Sequence, residues 1–439
     1  MFINKSLLTN KNLINLLISL FPLFFILGNL AININIILIC LLGTVIYGAD
    51  IFKVDKKVYV YSLFSFFLYL ILITLIKNLP NLDVNNAYGA HIAKSFFFLR
   101  FFIFFLVVNK LLERNDFNTK LFFIFASFFS LLVSFDILIQ VMFGKDLLGY
   151  SITHNRPSGF FGSEHIAGGF LQKFSLFFIF FCFYFKCQNN NLKINFFIIS
   201  GLLLFFISIF LTNNRMPFIV YISSILLFYF IEKRFKIFFT LFFLAFIILI
   251  FFSNYTPPAK NKWMNDVKYS INQFSKDAKV ILKYSPKMFM DENYKNDALG
   301  ETPSGYLFVF NSGVQVWKKN KILGNGLKSF RLNCVYKNFH VCNSHPHNYV
   351  IEIMVDTGIL GLFLIYSIII FSLFKFYIHF AKNFTSPLRF LQAPFFLIIF
   401  FEFFPLRSSG SFFTTNNAVI IFLMLAILIN ASRLNFNKK

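Results

Sequence analysis

The stretch NSHPHNYVIEIMVDTGILGLFLIYSIIIFSLF, residues 343–374, decides the fold class. Its latter part is an apolar run that, at roughly 1.5 Å per residue, crosses the roughly 30 Å hydrocarbon core of a bilayer as a helix. Its first part holds His345, His347 and Asn348, with Glu352 and Asp356 in the opening turns. Such groups are costly inside lipid, so they belong at the bilayer edge or serve a function there.

The rest of the chain repeats the apolar pattern. Hydrophobic residues make up 57% of the 439 and charged residues 13%, and 72 are Phe. A soluble fold could not bury that much apolar surface, which predicts a polytopic membrane protein. Runs of spanning length lie near 13–29, 31–48, 58–76, 93–112, 121–143, 166–185, 194–212, 217–231, 236–252, 349–374, 390–404 and 412–429. A backbone in lipid must satisfy its own hydrogen bonds, so the prediction is an all-α fold of about twelve transmembrane helices. The first run lacks a small-residue cleavage site and is followed almost at once by the second, so it reads as an anchor.

The formal charge of +23 would suggest nucleic acid on a soluble protein. Here the positions of the charges decide otherwise. Lys53, Lys56 and Lys57; Lys110, Arg114 and Lys120; Lys233, Arg234 and Lys236; and Lys375, Lys382 and Arg389 fall in short connections on one side, together with both basic termini. The opposite short connections hold only Lys77, Lys94, Lys145, Arg156, Arg215 and Arg407. The positive-inside rule then places both termini in the cytoplasm and the large loop 253–345, which precedes the tenth helix, in the periplasm. The excess charge is topological, and nucleic acid is not an expected partner.

The chain reads as one membrane domain, 1–439, with 253–345 inserted and no internal repeat. Within the loop, 263–283 places Trp263, Val267, Ile271, Phe274 and Ile281 roughly on one helical face, and 304–317 forms a second apolar-faced helix. Cys334 and Cys342 share this loop. In an oxidising compartment they are candidates for a disulfide that would stabilise by roughly 2–3 kcal/mol. Two free thiols are the alternative; metal binding with His345 and His347 fits no zinc spacing well.

With this topology, four polar constellations share the outer face. They are HNRPSGFFGSEHIAGG (154–169) with Arg156, NNRMP (213–217) with Arg215, the SHPHN cluster, and EFFPLRSSGSFFTTNN (402–417) with Arg407. An Arg at a helix start opposes the helix dipole, so stability alone would not choose Arg215. Free backbone N–H groups beside a guanidinium suit a phosphate there; ordinary snorkelling is the bland alternative. Arg100 and Lys173 sit about 10 Å inside the outer ends of their spans at 1.5 Å per residue. Buried cations need partners, and Glu352 and Asp356 lie at comparable depth. Pro346 fits the first helical position, which puts His347 in the first turn, where the dipole favours a neutral, proton-accepting imidazole. Asn348, Glu352 and Asp356 follow at i+4 steps and could orient a histidine or a sugar hydroxyl.

These residues resemble the bacterial O-antigen ligase and O-antigen polymerase superfamily. HPHNYVIEIMVDTGILGL is similar to its HxHNxxLExxxExGxxG signature, and ILGNGLKSFR to its LxGxGxxxF turn. NNRMPF is similar to its outer-facing Arg motif, and RPSGFFGSEHIAGGFL to its R-x-SGxFG segment. The likeness covers nearly the whole chain. It implies a metal-independent, GT-C-like glycosyltransferase without a cofactor, in the bacterial inner membrane, with its active site facing the periplasm. The donor would be an undecaprenyl-pyrophosphate-linked glycan; the acceptor would be the lipid A core for a ligase, or another lipid-linked repeat unit for a polymerase. A pyrophosphate leaving group already activates the sugar, so catalysis needs a base for the acceptor hydroxyl and cations for the departing charge. On that reading His347 is the base and His345 the second candidate. Asn348 and Glu352 orient, and Arg215, Arg156 and Arg407 clamp the pyrophosphate. A metal-dependent oligosaccharyltransferase would want acids in the first outer loop, which is only GNLA (28–31). A multi-spanning transporter of an anionic solute is the rival from another class; it would be expected to show paired halves.

Overall fold

The computed structural model describes residues 10–82, 86–153, 156–188, 192–232, 236–244, 305–335, 342–383 and 386–434. Among them every regular element is a helix. The first seven are α1 (Asn10–Ser19), α2 (Phe21–Leu27), α3 (Asn29–Tyr47), α4 (Lys57–Asn78), α5 (Ala87–Phe98), α6 (Arg100–Glu113) and α7 (Thr119–Phe143). Next come α8 (Ala167–Gln188), α9 (Leu192–Leu211), α10 (Arg215–Ile231), α11 (Gly305–Lys318) and α12 (Ser329–Val335). The chain closes with α13 (Tyr349–Lys382), α14 (Leu388–Glu402) and α15 (Thr415–Ile429).

Among the described residues seven helices are long and apolar enough to cross a membrane, and α10 and α15 are shorter apolar helices. The chain is therefore an all-helical, polytopic membrane protein, although that number falls below the expected twelve. The causes are local. The run 13–29 divides at Leu20, just before Pro22, which takes an early helical position that needs no N–H donor. The run 390–404 yields only the short α14, and 236–252 is described only as far as 244.

Hydrophobicity also sorts the helices by depth. Every residue of α15 from Ala418 to Ile429 is buried, as expected of a helix that is apolar on all sides. Aromatic rings fill the space between helices: Phe177 meets Phe122 edge-on at 5.1 Å and Phe395 at 5.2 Å. The outer helices keep apolar side chains outside, with Leu30, Val45 and Val58 more than two-thirds exposed. A surface of that kind suits lipid.

The feature that shapes the site is a break in α13. Gly358 takes φ 64 and ψ −168, so the helix stops and restarts there. A break in a membrane helix frees carbonyls before it and N–H groups after it. The 321–326 turn satisfies both sets. Val355 O and Asp356 O accept from Asn325 N and Gly326 N at 3.0 and 2.8 Å, while Ile359 N and Leu360 N donate to Lys321 O and Ile322 O at 3.0 and 3.3 Å. Gly324 and Gly326 have φ of 83° and 87°. A Cβ on Gly324 would lie 2.5 Å from Gly358 N and 2.6 Å from Asp356 O, so the close approach requires glycine. The segment 359–382, at 1.5 Å per residue, still spans about 36 Å by itself. Residues 349–357 thus form a separate short segment, not the uniform start of one span.

The helix expected at 304–317 is present as α11. It packs with α12 on that short segment, through Val309, Val314, Val316, Phe330, Ile351 and Val355. A disulfide joins Cys334 and Cys342 with Cα atoms 5.8 Å apart. The amphipathic helix expected at 263–283 lies outside the described residues.

Candidate functional site

Asn348, Glu352 and Asp356 point along one face of the short segment, and each secures a different stretch of chain. Asn348 caps α13: its Oδ1 accepts from Ile351 N at 3.0 Å, and its Nδ2 donates to Pro405 O and Arg407 O at 2.7 and 2.9 Å. Glu352 accepts from Ser411 Oγ at 2.5 Å and Phe412 N at 2.6 Å. Asp356 accepts from Lys328 N, Ser329 N and Ser329 Oγ at 2.7, 3.1 and 2.9 Å, which caps α12. All three are buried. Among the described residues their partners are backbone groups and a serine hydroxyl each for Glu352 and Asp356, not histidines. Their geometry is that of positioning groups.

The histidines differ from expectation in one respect. Asn348, not His345 or Ser344, is the N-cap, so His347 lies just before the helix at φ 53, outside the first turn. Its pKa is nonetheless depressed, and burial is the cause, with a hydrogen bond to the Ser409 backbone acting the other way. His345 is pushed down to about 4, first by burial and then by the charges of His347 and Lys328. The ring centroids are 4.1 Å apart. Asn343 Nδ2 lies 3.2 Å from His347 Nε2, and Ser344 Oγ 2.9 Å from His345 Nδ1. His345 Nε2 is buried without a hydrogen-bond partner among the described residues. Ser409 N donates to His347 O at 2.8 Å, which ties the pair to the connection between α14 and α15. Two neutral imidazoles this close can take up one proton between them far more readily than two.

That connection carries Arg407, which is buried. Its Nη1 lies 2.8 Å from Glu402 Oε1, and the same oxygen is 3.1 Å from Lys173 Nζ of α8. Lys173 therefore pairs with Glu402, not with Glu352 or Asp356, because those acids are already engaged by backbone N–H groups. Arg100, by contrast, finds no carboxylate among the described residues: its Nη2 donates to Asn33 Oδ1 and Thr415 Oγ1 at 2.9 and 3.1 Å, and it lies over the Phe101 ring. Arg407 Nε and Gln172 Nε2 are buried without hydrogen-bond partners among the described residues.

Arg215 opens α10 with Asn214 as its N-cap. Asn214 Nδ2 donates to His165 O at 3.1 Å, so the 162–169 segment and the Arg215 turn meet beside the start of α8. Arg156 is exposed and its N–H donates to Thr153 O at 2.9 Å. The structure thus gathers His345, His347, Asn348, Glu352 and Arg407 directly. Arg215 and Arg156 belong to the adjoining segments and are linked to the others through α8.

Sequence reasoning passed over Glu402, Ser411 and Thr74. Glu402 stands within the quoted 402–417 segment, and an acid at the end of an apolar run is a signal that Lys173 has a partner on another helix. Ser411 and Thr74 act through single hydroxyls and leave no such mark.

The model of the family described as O-antigen ligase matches residues 200–366, which hold Arg215, the glycine turn and both histidines. This match supports membership of the O-antigen ligase and polymerase superfamily. No curated protein matches the chain significantly.

Proposed function

From a chain that carries an O-antigen ligase domain over residues 200–366, we propose an enzyme that moves a lipid-linked glycan onto an acceptor hydroxyl at the outer leaflet of the bacterial inner membrane. The observation that carries this reading is the histidine pair, kept neutral by burial and tied through Ser409 to the loop that bears Arg407. It sets a proton acceptor beside cations.

In the proposed reaction His347 takes the proton of the acceptor hydroxyl while that oxygen bonds to the anomeric carbon of the donor glycan. The bond from the anomeric carbon to the diphosphate oxygen breaks, and the undecaprenyl pyrophosphate departs. Arg215, Arg407 and Arg156 balance the charge that develops on it. His345 limits the pair to one proton, and Asn348 and Glu352 hold the loops around it. The chemistry is GT-C-like and needs no metal, because the diphosphate already activates the sugar. The acceptor is the lipid A core or a second lipid-linked repeat unit.

The break at Gly358 is the observation that favours a transporter, since transporters also use interrupted helices. Here the break is filled by the chain's own 321–326 turn, so it lines no open path there. The test uses the full chain in nanodiscs with a diphosphate-linked lipid oligosaccharide and a lipid-linked acceptor. His347→Ala and Arg215→Ala should each lower transfer by about 10²-fold or more with the protein level unchanged, and chelator should have no effect. Near-wild-type transfer by both variants would overturn the mechanism. Solute flux that survives His347→Ala would favour the transporter.

A further inference from the structure

We infer that Lys94, Lys328 and Arg331, with His91 beside them, form a second anion site that holds a phosphate group of the acceptor. The inference rests on the glycan-transfer reading and extends it to the second substrate.

Backbone contacts fix where the residues of this cluster stand. Leu327 N donates to Thr74 Oγ1 at 2.9 Å, which presses the glycine turn onto α4. Lys328 N and Ser329 N are held by Asp356 at 2.7 and 3.1 Å, and Lys328 takes the left-handed φ of 57°. Arg331 follows in the first turn of α12. Helix α4 packs along α5, which brings His91 and Lys94. The charges of Lys94, Lys328 and Arg331 all act on the His91 ring, and that of Lys328 also acts on His345.

Nothing among the described residues neutralises these cations. Lys94, Lys328 and Arg331 form no ion pair there, whereas Lys173 and Arg407 share Glu402. The nearby acids are committed elsewhere: Asp356 to the start of α12, and Glu352 to Ser411 and Phe412. Lys94 and Arg331 are exposed and Lys328 is half-buried, so the three present a positive patch open to solvent beside the buried His91. His91 adds an independent sign. It is 8% exposed, and its Nδ1 has no hydrogen-bond partner among the described residues. Buried polar atoms are ordinarily paired, so an unmet one among cations fits an anionic guest. A phosphate would take a forked pair of bonds from Arg331 and point charges from the lysines.

Position selects which substrate this is. The histidine pair adjoins Lys328 on one hand and, through Ser409, the Arg407 loop on the other. If the donor diphosphate occupies the Arg407 and Arg215 segments, the remaining cations serve the other reactant. Both acceptors considered above carry phosphate.

The experiment compares the full chain with the K94Q/K328Q/R331Q variant in neutral-lipid nanodiscs, using a lipid A core acceptor that carries phosphate monoesters, before and after phosphatase treatment. The variant should raise KM for the phosphorylated acceptor by about tenfold, with kcat and donor KM moved less than about twofold. With the treated acceptor the two proteins should have similar KM, and Lys328→Arg should restore much of the loss. Equal acceptor KM in the two proteins, with transfer intact, would overturn the second site while leaving the transferase reading standing. A rise confined to donor KM would assign the cluster to the donor and also overturn it. An effect seen only with phosphatidylglycerol in the nanodisc would identify a bulk-lipid contact instead. Absence of any transfer by the wild-type protein would fail the underlying reading itself.

Discussion

The two ends of the helical bundle handle charge in opposite ways. At the end holding residues 50–56, 110–116 and 429–434, acids meet cations directly. Asp50 pairs with Arg114 and Lys53 at 2.7 and 3.0 Å, Asp55 with Arg433 at 2.6 Å, Glu113 with Lys110 at 2.9 Å, and Asp116 with Lys11 at 3.0 Å. Lys56 and Lys110 also donate to the carbonyls of Ile429 and Lys53. At the motif end, among the described residues, Glu352 and Asp356 accept from N–H and hydroxyl groups, Glu402 serves two cations, and Lys94, Lys328 and Arg331 meet no acid. The first end uses its cations to fasten helices. The motif end leaves some of its cations without an acid among the described residues, because its described acids are occupied in shaping loops. Pairing, and not the number of cations, makes that difference.

The contrast is sharpest in a matched pair of variants. On the proposed mechanism Arg407→Gln should lower transfer by about a hundredfold, since it removes a guanidinium proposed to balance the leaving diphosphate. Arg433→Gln, at the opposite end, should leave transfer within about twofold and stability within about 1 kcal/mol, as partly exposed ion pairs contribute little. Equal losses in the two would erase the distinction. Next in size, Gly324→Ala should destabilise by about 2–4 kcal/mol, because it strains a left-handed residue and forces a Cβ onto the broken helix. Its readout is the thermal midpoint of the purified protein in detergent, and an unchanged midpoint would mean that the turn does not plug the break.

Glu352→Gln keeps the shape but turns one acceptor oxygen into an NH2 donor that faces Ser411 Oγ or Phe412 N, and it should cost transfer about tenfold while the protein stays folded. A loss as deep as that of His347→Ala would instead make Glu352 a participant in chemistry. The smallest effect concerns pH. Burial lowers the pKa of His345 and His347 below the ordinary 6.5, which favours their neutral forms. If His347 is the base, as proposed, lowering pH protonates it only below that value. The acid limb of the kcat/KM profile should therefore fall below pH 6.5 and move or vanish in His347→Ala. A limb above 6.5 would contradict a buried, neutral base.

Much of the helical architecture was legible from local sequence. Apolar runs give helices wherever lipid denies the backbone any other partner, and Pro22 marks where the first run divides. The site was legible as a set of segments on one face, because each motif sits at the end of an apolar run. Roles within the set were less so. The i+4 spacing of Asn348, Glu352 and Asp356 correctly put them on one face, yet spacing could not say that this face meets loops and not substrate. His347 was expected to owe its low pKa to the helix dipole, and it owes it to burial, since the cap is Asn348 and His347 precedes it.

Composition and periodicity alone determined that this chain is helical, membrane-spanning and polar at particular edges, because hydrophobic burial and backbone satisfaction act over neighbouring residues. Only the tertiary structure decided that Lys173 belongs to Glu402, that Asp356 caps α12, and that Gly358 interrupts a helix which the glycine turn then completes. Each of those depends on which helix faces meet, and packing between elements far apart in the chain is what sets that.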